Sequence, residues 1–386
     1  MILPSHLAKL GYYTVYGKLF FHKYDAMKAA RCLQDIQYHF NDEIFAKYNW
    51  TQDPEPTVTL SELYRRRAQQ LRDQFDYLIV MYSGGPDGKN VLDSFVNNDI
   101  HIDEIVNINS YQRTHAVDNT VHNADYVYNV VPTLDSLRKR PNFKSKITII
   151  DEIDLITKHL DHVEKQGNIN ALNVTGGVNM IMVRQVWTRY VAHIWEKIIK
   201  GIKVGIIMGS DKPYLTIKNN RYGVYFHDMG SGSGVSFDDT EFRHLDIMQY
   251  FYHSADAVPL IIKQGHILKN YMENHPQPNY YRKWQPGERP SHACPSKHGF
   301  GDLLYDIFHR LIYPTWQKGF VTKKPANIIL RMEDNWWLHT MHKQDRKIHD
   351  YGLRQTLRDF SSTYLFDSIK NTGRFSLCHS QVYFLE

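Results

Sequence analysis

The 386-residue chain is long enough to bury a large core and to divide into two or three units. A hydrophobic share of 42% against 23% charged residues is that of an ordinary globular protein, and the net charge of +5 suits an anionic ligand while permitting nucleic acid without demanding it. Cys32, Cys294 and Cys378 form no CxxC and no zinc spacing, which argues against a structural metal or iron–sulfur site and for a reducing compartment.

No stretch reaches about 18 uninterrupted apolar residues, and the N-terminus carries no signal pattern, so the reading is a soluble cytoplasmic protein without a membrane segment. The 26 tyrosines and 21 histidines are numerous. They serve either base stacking or partly wet cores.

Residues 11–21 read as a hairpin about Tyr16-Gly17-Lys18. A helix is expected from Lys23 to Phe40, with Ala26, Ala30, Leu33, Ile36 and Phe40 near one face, and a loop over 41–58. These make a first unit, 1–58. Ser61 to Phe75 follows as a helix with Leu63, Ala68, Leu71 and Phe75 buried. It carries Arg65, Arg66, Arg67 and Arg72, either a solvated face or a contact for phosphate or an RNA backbone.

Tyr77 to Ser94 is the most informative stretch. The apolar run 77–82 reads as a buried strand, Ser83-Gly84-Gly85 breaks it, and Asn90 to Phe95 resumes with helical spacing. A strand, a glycine turn and a helix aim backbone N–H groups and a positive helix end at an anion. Glycines at 84 and 85 let the backbone pass close to a phosphate. Ser83 adds a hydroxyl. Asp87 offers a carboxylate for Mg2+, or else a helix cap. No GKS or GKT follows, so this is not a Walker loop.

Further strands are expected at Glu104–Asn109, Ile147–Ile150 and Lys203–Met208, with helices over 113–135 and Asn179–Ile199. Asp151, Glu152 and Asp154 after the middle strand could bind metal or cap a helix. The last strand ends in Gly209-Ser210-Asp211-Lys212-Pro213. Leu215–Ile217 and Tyr222–Phe226 read as a hairpin about Asn219-Asn220, and Gly230 to Gly234 as a linker or lid. From Phe242 the texture is helical. Lys263, His266, Lys269 and Asn270 share one face, a wet side or a pocket wall; 274–300 is a long loop; Ser380–Leu385 is a strand.

SGGPDG resembles the SGGxDS pyrophosphate loop of the adenine-nucleotide alpha-hydrolase superfamily, the N-type ATP pyrophosphatases. The match covers Ser83, Gly84, Gly85 and Asp87; Gly88 stands where the family has Ser or Thr. The GSDKP loop resembles those of PAPS-reductase-like and phage-encoded members. The resemblance implies an α/β fold, a doubly wound, mostly parallel sheet over 59–240, with a mostly helical region over 241–386 shaping an acceptor site.

It also implies ATP and Mg2+ as cofactors, the metal on Asp87. The nucleotide would lie against Ser83, Gly84, Gly85, Asp87, Gly88, Lys89, Gly209 and Ser210, with Ile108, Asn109 and Ser110 on the adenosine side. Lys212 would stabilise departing pyrophosphate, Asp211 would hold metal or orient Lys212, and Asp87 would act through the bridging Mg2+. The implied activity is adenylation of a carboxylate or carbonyl oxygen of an unidentified acceptor, followed by attack of a nitrogen nucleophile. Two alternatives are an adenylyl-sulfate-binding protein related to PAPS reductases, which would need Cys378, and a nucleotide- or nucleic-acid-binding protein without turnover.

Overall fold

The computed structural model describes residues 11–20, 23–109, 125–151, 187–209, 213–228, 248–274, 302–316 and 378–386, with five further positions between 154 and 165. The first hairpin forms as expected. β1 (Tyr12–Val15) and β2 (Lys18–Phe20) pair antiparallel about Tyr16 and Gly17, both at positive φ.

The helix expected to run to Phe40 does not. α1 (Lys23–Ala29) stops early, and β3 (Ile36–His39) joins the other edge of β1. Ile36, Tyr38 and Phe40 are buried and Gln37 is exposed, so a period of two wins over the helical one in IQYHF. Within the expected loop 41–58, one helical turn forms, α2 (Asp42–Phe45).

α3 (Leu60–Gln74) starts at Thr59, whose side chain accepts the N–H of Glu62. The central sheet then builds from β4 (Tyr77–Met81), α4 (Pro86–Val96), β5 (Glu104–Asn109), a π-helical turn at Asp125–Val130 leading into α5 (Val131–Arg138), β6 (Lys146–Asp151), α6 (Ala192–Ile199) and β7 (Val204–Met208). The single helix expected over 179–199 is interrupted in its described part. Trp187–Tyr190 is a 3-10 turn and Val191 is extended, its carbonyl accepting from Ile194 and Trp195 to start α6 afresh.

β8 (Tyr214–Lys218) and β9 (Arg221–Tyr225) form the expected hairpin, with Asn219 and Asn220 both at positive φ. β10 (Met248–Tyr250) falls where helical texture is expected; it pairs parallel with β7 over only three residues, too few to show a period. α7 (Val258–Glu273), α8 (Asp302–Ile312) and β11 (Tyr383–Phe384) complete the described elements, β11 adding a third strand beside β9.

The five strands of the central sheet are all parallel and run β10-β7-β4-β5-β6. Both faces are covered, which is why YLIVM is apolar throughout. Leu78, Val80, Ile105 and Ile207 join one cluster with Leu63, Leu71, Val91 and Phe95 of α3 and α4. Their strand neighbours Ile79, Val106, Val204 and Ile206 join a second with Trp187 and Ile194. A five-stranded parallel sheet with helices against both faces is compatible with a doubly wound fold.

Residues 11–58 share the first of these clusters. Phe45 and Trp50 lie 5.3 and 4.5 Å from Tyr383, ring to ring, and Phe40 lies 5.1 Å from Phe226. The Lys263 face of α7 is wet only at its end, where Asn270 is exposed: Lys263 Nζ reaches Asp53 Oδ2 at 2.7 Å and the Glu55 carbonyl at 2.8 Å, and His266 Nε2 reaches the Trp50 carbonyl at 3.0 Å. Among the described residues no helix is long and apolar enough to cross a membrane.

Candidate functional site

β4 has β5 on one side and β7 on the other, so the strand order reverses direction at β4 and β7. In open parallel sheets ligands bind beyond the carboxyl ends of the strands at such a point. Two segments the sequence singles out leave the sheet there: Tyr82–Gly85 after β4 and Gly209 after β7.

The first is a clamped loop. Gly84 has φ +84, and a Cβ on it would lie 2.5 Å from the Asp125 carbonyl oxygen, so only glycine fits. The Tyr82 N–H donates to the Val106 carbonyl at 2.8 Å. Asn107 Nδ2 donates to the Tyr82 carbonyl at 2.8 Å, and Asn129 Nδ2 donates to the Gly84 carbonyl at 2.9 Å. The Tyr82 hydroxyl reaches Thr133 Oγ1 at 3.1 Å.

With its carbonyls held, the loop leaves its donors over. Gly85 caps α4 and Pro86 occupies the first turn, so the first helical hydrogen bond runs from Lys89 N to the Gly85 carbonyl at 2.9 Å. The N–H groups of Ser83, Gly84, Gly85 and Gly88 have no acceptor among the described residues. Four donors without an acceptor among the described residues, at the positive end of an 11-residue helix, are an arrangement that can seat an anion.

Gly209 is packed onto this seat. A Cβ there would come within 2.8 Å of Gly88 Cα and 3.0 Å of Gly88 N. Ser110, Ser210, Asp211 and Lys212 lie outside the described residues. Asn109 is buried at the end of β5, and Ile108 packs against the second core cluster. Lys89 turns along its own helix, Nζ lying 2.6 Å from both carboxylate oxygens of Asp93. Asp151 ends β6 at the sheet edge, two strands from β4.

Asp87 points into the protein. It is 8% exposed, its Oδ1 accepts from the Tyr313 hydroxyl, and His309 Nε2 lies 3.7 Å away. Its backbone carbonyl accepts from the Tyr252 hydroxyl at 3.0 Å, which in turn accepts from Asn90 Nδ2 at 2.9 Å. Burial raises the Tyr252 and Tyr313 hydroxyls well above the usual tyrosine range, which keeps them as donors. Nothing in these partners suits Mg2+, which keeps several waters in an octahedral oxygen shell. Among the described residues no group of three or more His, Cys, Asp or Glu could hold a metal ion.

The arginine run is committed elsewhere. Arg65 and Arg66 pair with Glu62, and Arg66 also with Glu55. Arg67 is buried, donating to the Tyr250 and Phe251 carbonyls, and its burial pushes it down to about 10. Arg72 binds Asp103 and the Phe75 carbonyl. Cys378 is buried, its N–H donating to Asp228 Oδ1 and its carbonyl accepting the Asp228 N–H.

Asn107, Asn129, His309 and Tyr313 are site residues that sequence reasoning passes over. Only Asn107 leaves a trace, as an amide inside the apolar run EIVNIN. Compared with protein-family models, with curated proteins and with solved structures, the chain matches none.

Proposed function

We propose that the chain binds ATP through its phosphates at Ser83–Gly88 and transfers the adenylyl group to an oxygen of an acceptor, as an N-type ATP pyrophosphatase does. One observation carries this reading: the N–H groups of Ser83, Gly84, Gly85 and Gly88 lack acceptors among the described residues at the positive end of α4, beside the point where the strand order reverses. An acceptor carboxylate or carbonyl oxygen attacks the α-phosphorus, the bond to the bridging oxygen breaks, and pyrophosphate leaves with the electron pair. A nitrogen nucleophile then displaces AMP.

The loop contributes fixed donors that need no reorganisation as charge builds on the departing pyrophosphate. Lys212 is assigned, from the resemblance, to the same charge. Asp87, engaged by the Tyr313 hydroxyl, does not suit Mg2+ in this arrangement. The burial of Cys378 weighs against the adenylyl-sulfate alternative, and the acidic partners of Arg65 and Arg66 remove one support of the nucleic-acid alternative, which rests also on Gly88 and the aromatic-rich C-terminal half.

Calorimetry with ATP and with pyrophosphate tests the reading, on the wild type and on Gly84→Ala. The expected result is binding of both by the wild type and loss in the variant. A folded wild type that binds neither removes the proposal.

A further inference from the structure

We infer that Asp87 is a positioning residue that docks α8 onto the phosphate loop, in place of the metal-ligand role its motif suggests. The inference rests on the reading of Ser83–Gly88 as a phosphate seat. It starts from the position of Asp87 in the first turn of α4, between Gly85 and Gly88, whose N–H groups belong to that seat. A carboxylate is favoured there by the helix dipole.

Its partners come from elements far away in sequence. Tyr313, directly after α8, donates to Asp87 Oδ1. The His309 ring stacks on Tyr313 with centroids 5.2 Å apart and planes 14° apart, and Tyr252 stacks on it at 5.9 Å. The end of α8 is held a second time by Tyr64 of α3, whose hydroxyl donates to the Ile312 carbonyl at 2.8 Å and accepts from Gln264 Nε2 of α7 at 2.7 Å. His309, Tyr252, Tyr64, Tyr313 and Gln264 are each at most 2% exposed.

The result is a largely buried polar knot around the carboxylate. A buried carboxylate is stable only while hydrogen-bonded, so the knot and the first turn of α4 stand or fall together. The docking of α8 thereby sets the order of the phosphate seat without touching the phosphate.

The test uses the full chain with Asp87→Asn, Asp87→Ala, Tyr313→Phe and the Asp87→Ala/Tyr313→Phe double variant. Urea unfolding is measured without ligand, and calorimetry measures ATP affinity with and without Mg2+. Asparagine still accepts from Tyr313, so Asp87→Asn should keep the wild-type ratio of affinities with and without Mg2+. Asp87→Ala and Tyr313→Phe should each weaken ATP binding about ten-fold or more, the factor implied by losing a hydrogen bond to a charged group.

The double variant should resemble either single one. A loss of the Mg2+ effect in Asp87→Asn, with Tyr313→Phe binding like the wild type, would overturn the inference and return Asp87 to the metal. If the wild type binds no ATP, the nucleotide reading fails by itself. The unfolding cycle then decides the docking role: non-additive shifts in midpoint support it and additive shifts remove it.

Discussion

Gly209 rests on Gly88: a Cβ at 209 would fall 2.8 Å from the Cα of Gly88, closer than real side chains approach backbone. The strand ending that carries GSDKP and the first turn of the helix opened by SGG are thus in direct backbone contact. Neither segment predicts this meeting by itself. It follows from β4 and β7 being neighbours in register, Met81 beside Met208.

Gly209→Ala should therefore be costly. The obstructing atoms are backbone, which cannot rotate aside, so the loop or the helix must shift. A loss of about 1–3 kcal/mol, seen as a lower urea midpoint with an unchanged slope, is the expected size for such overpacking. ATP affinity should fall with it. Unchanged stability and unchanged binding would mean the contact is relieved by a small loop movement and carries nothing.

Gly88→Ser should behave in the opposite way. The nearest atoms to a Cβ at 88 are Tyr82 Cδ2 at 3.7 Å, the Met81 carbonyl at 3.8 Å and Ser83 N at 3.9 Å, all ordinary contacts. Helix propensity favours serine over glycine by about 0.5 kcal/mol. The variant should melt at the wild-type temperature or slightly above, and its added hydroxyl should tighten pyrophosphate binding. A large drop in melting temperature would show that Gly209 leaves no space for the new side chain.

Much of the central sheet was legible because its signals are local. YLIVM, EIVNIN and KVGIIM are each buried on both faces, and each reads as a strand without its partners. The SGG turn was legible because its glycines break an apolar run, while the positive φ of Gly84 and its approach to the Asp125 carbonyl emerge only in the fold. What escaped depends on partners far along the chain. Tyr313 looks like any tyrosine after a helix until Asp87 is set against it. Lys263 and His266 look like a wet face until residues 50–56 fold over them. The strand at 36–39 was misread because Ile36 and Phe40 fit both periods, and only pairing with β1 separates them.

Asn129→Ala tests whether the Ser83–Gly88 loop depends on its clamp. Asn129 Nδ2 is the donor to the Gly84 carbonyl, and truncation leaves that carbonyl beside a hole. An unsatisfied buried acceptor costs about 1–3 kcal/mol. The expected signature is faster amide exchange confined to Ser83–Gly88 and weaker ATP binding, with the sheet's own protection intact. Asn129→Asp, which cannot donate, should match alanine. If the aspartate variant binds ATP like the wild type, the clamp is not what orders the loop.

Acid sensitivity should arise partly at His266. Burial is the largest influence and lowers its pKa from 6.5, against the opposing hydrogen bond to the Trp50 carbonyl. The folded state therefore prefers the neutral ring. Above pH 6.5 the ring is neutral in both states and its contribution is complete. As pH falls below that value the unfolded chain takes up the proton first, and stability is lost until the folded pKa is passed. His379 is shifted the same way by burial and adds to the trend. His266→Gln retains an amide donor for Trp50 and removes the titration, so the melting temperature of that variant should fall less between pH 7 and pH 5 than that of the wild type. Parallel pH curves for the two proteins would place the acid-sensitive step elsewhere and leave His266 as a plain packing contact between α7 and residues 50–56.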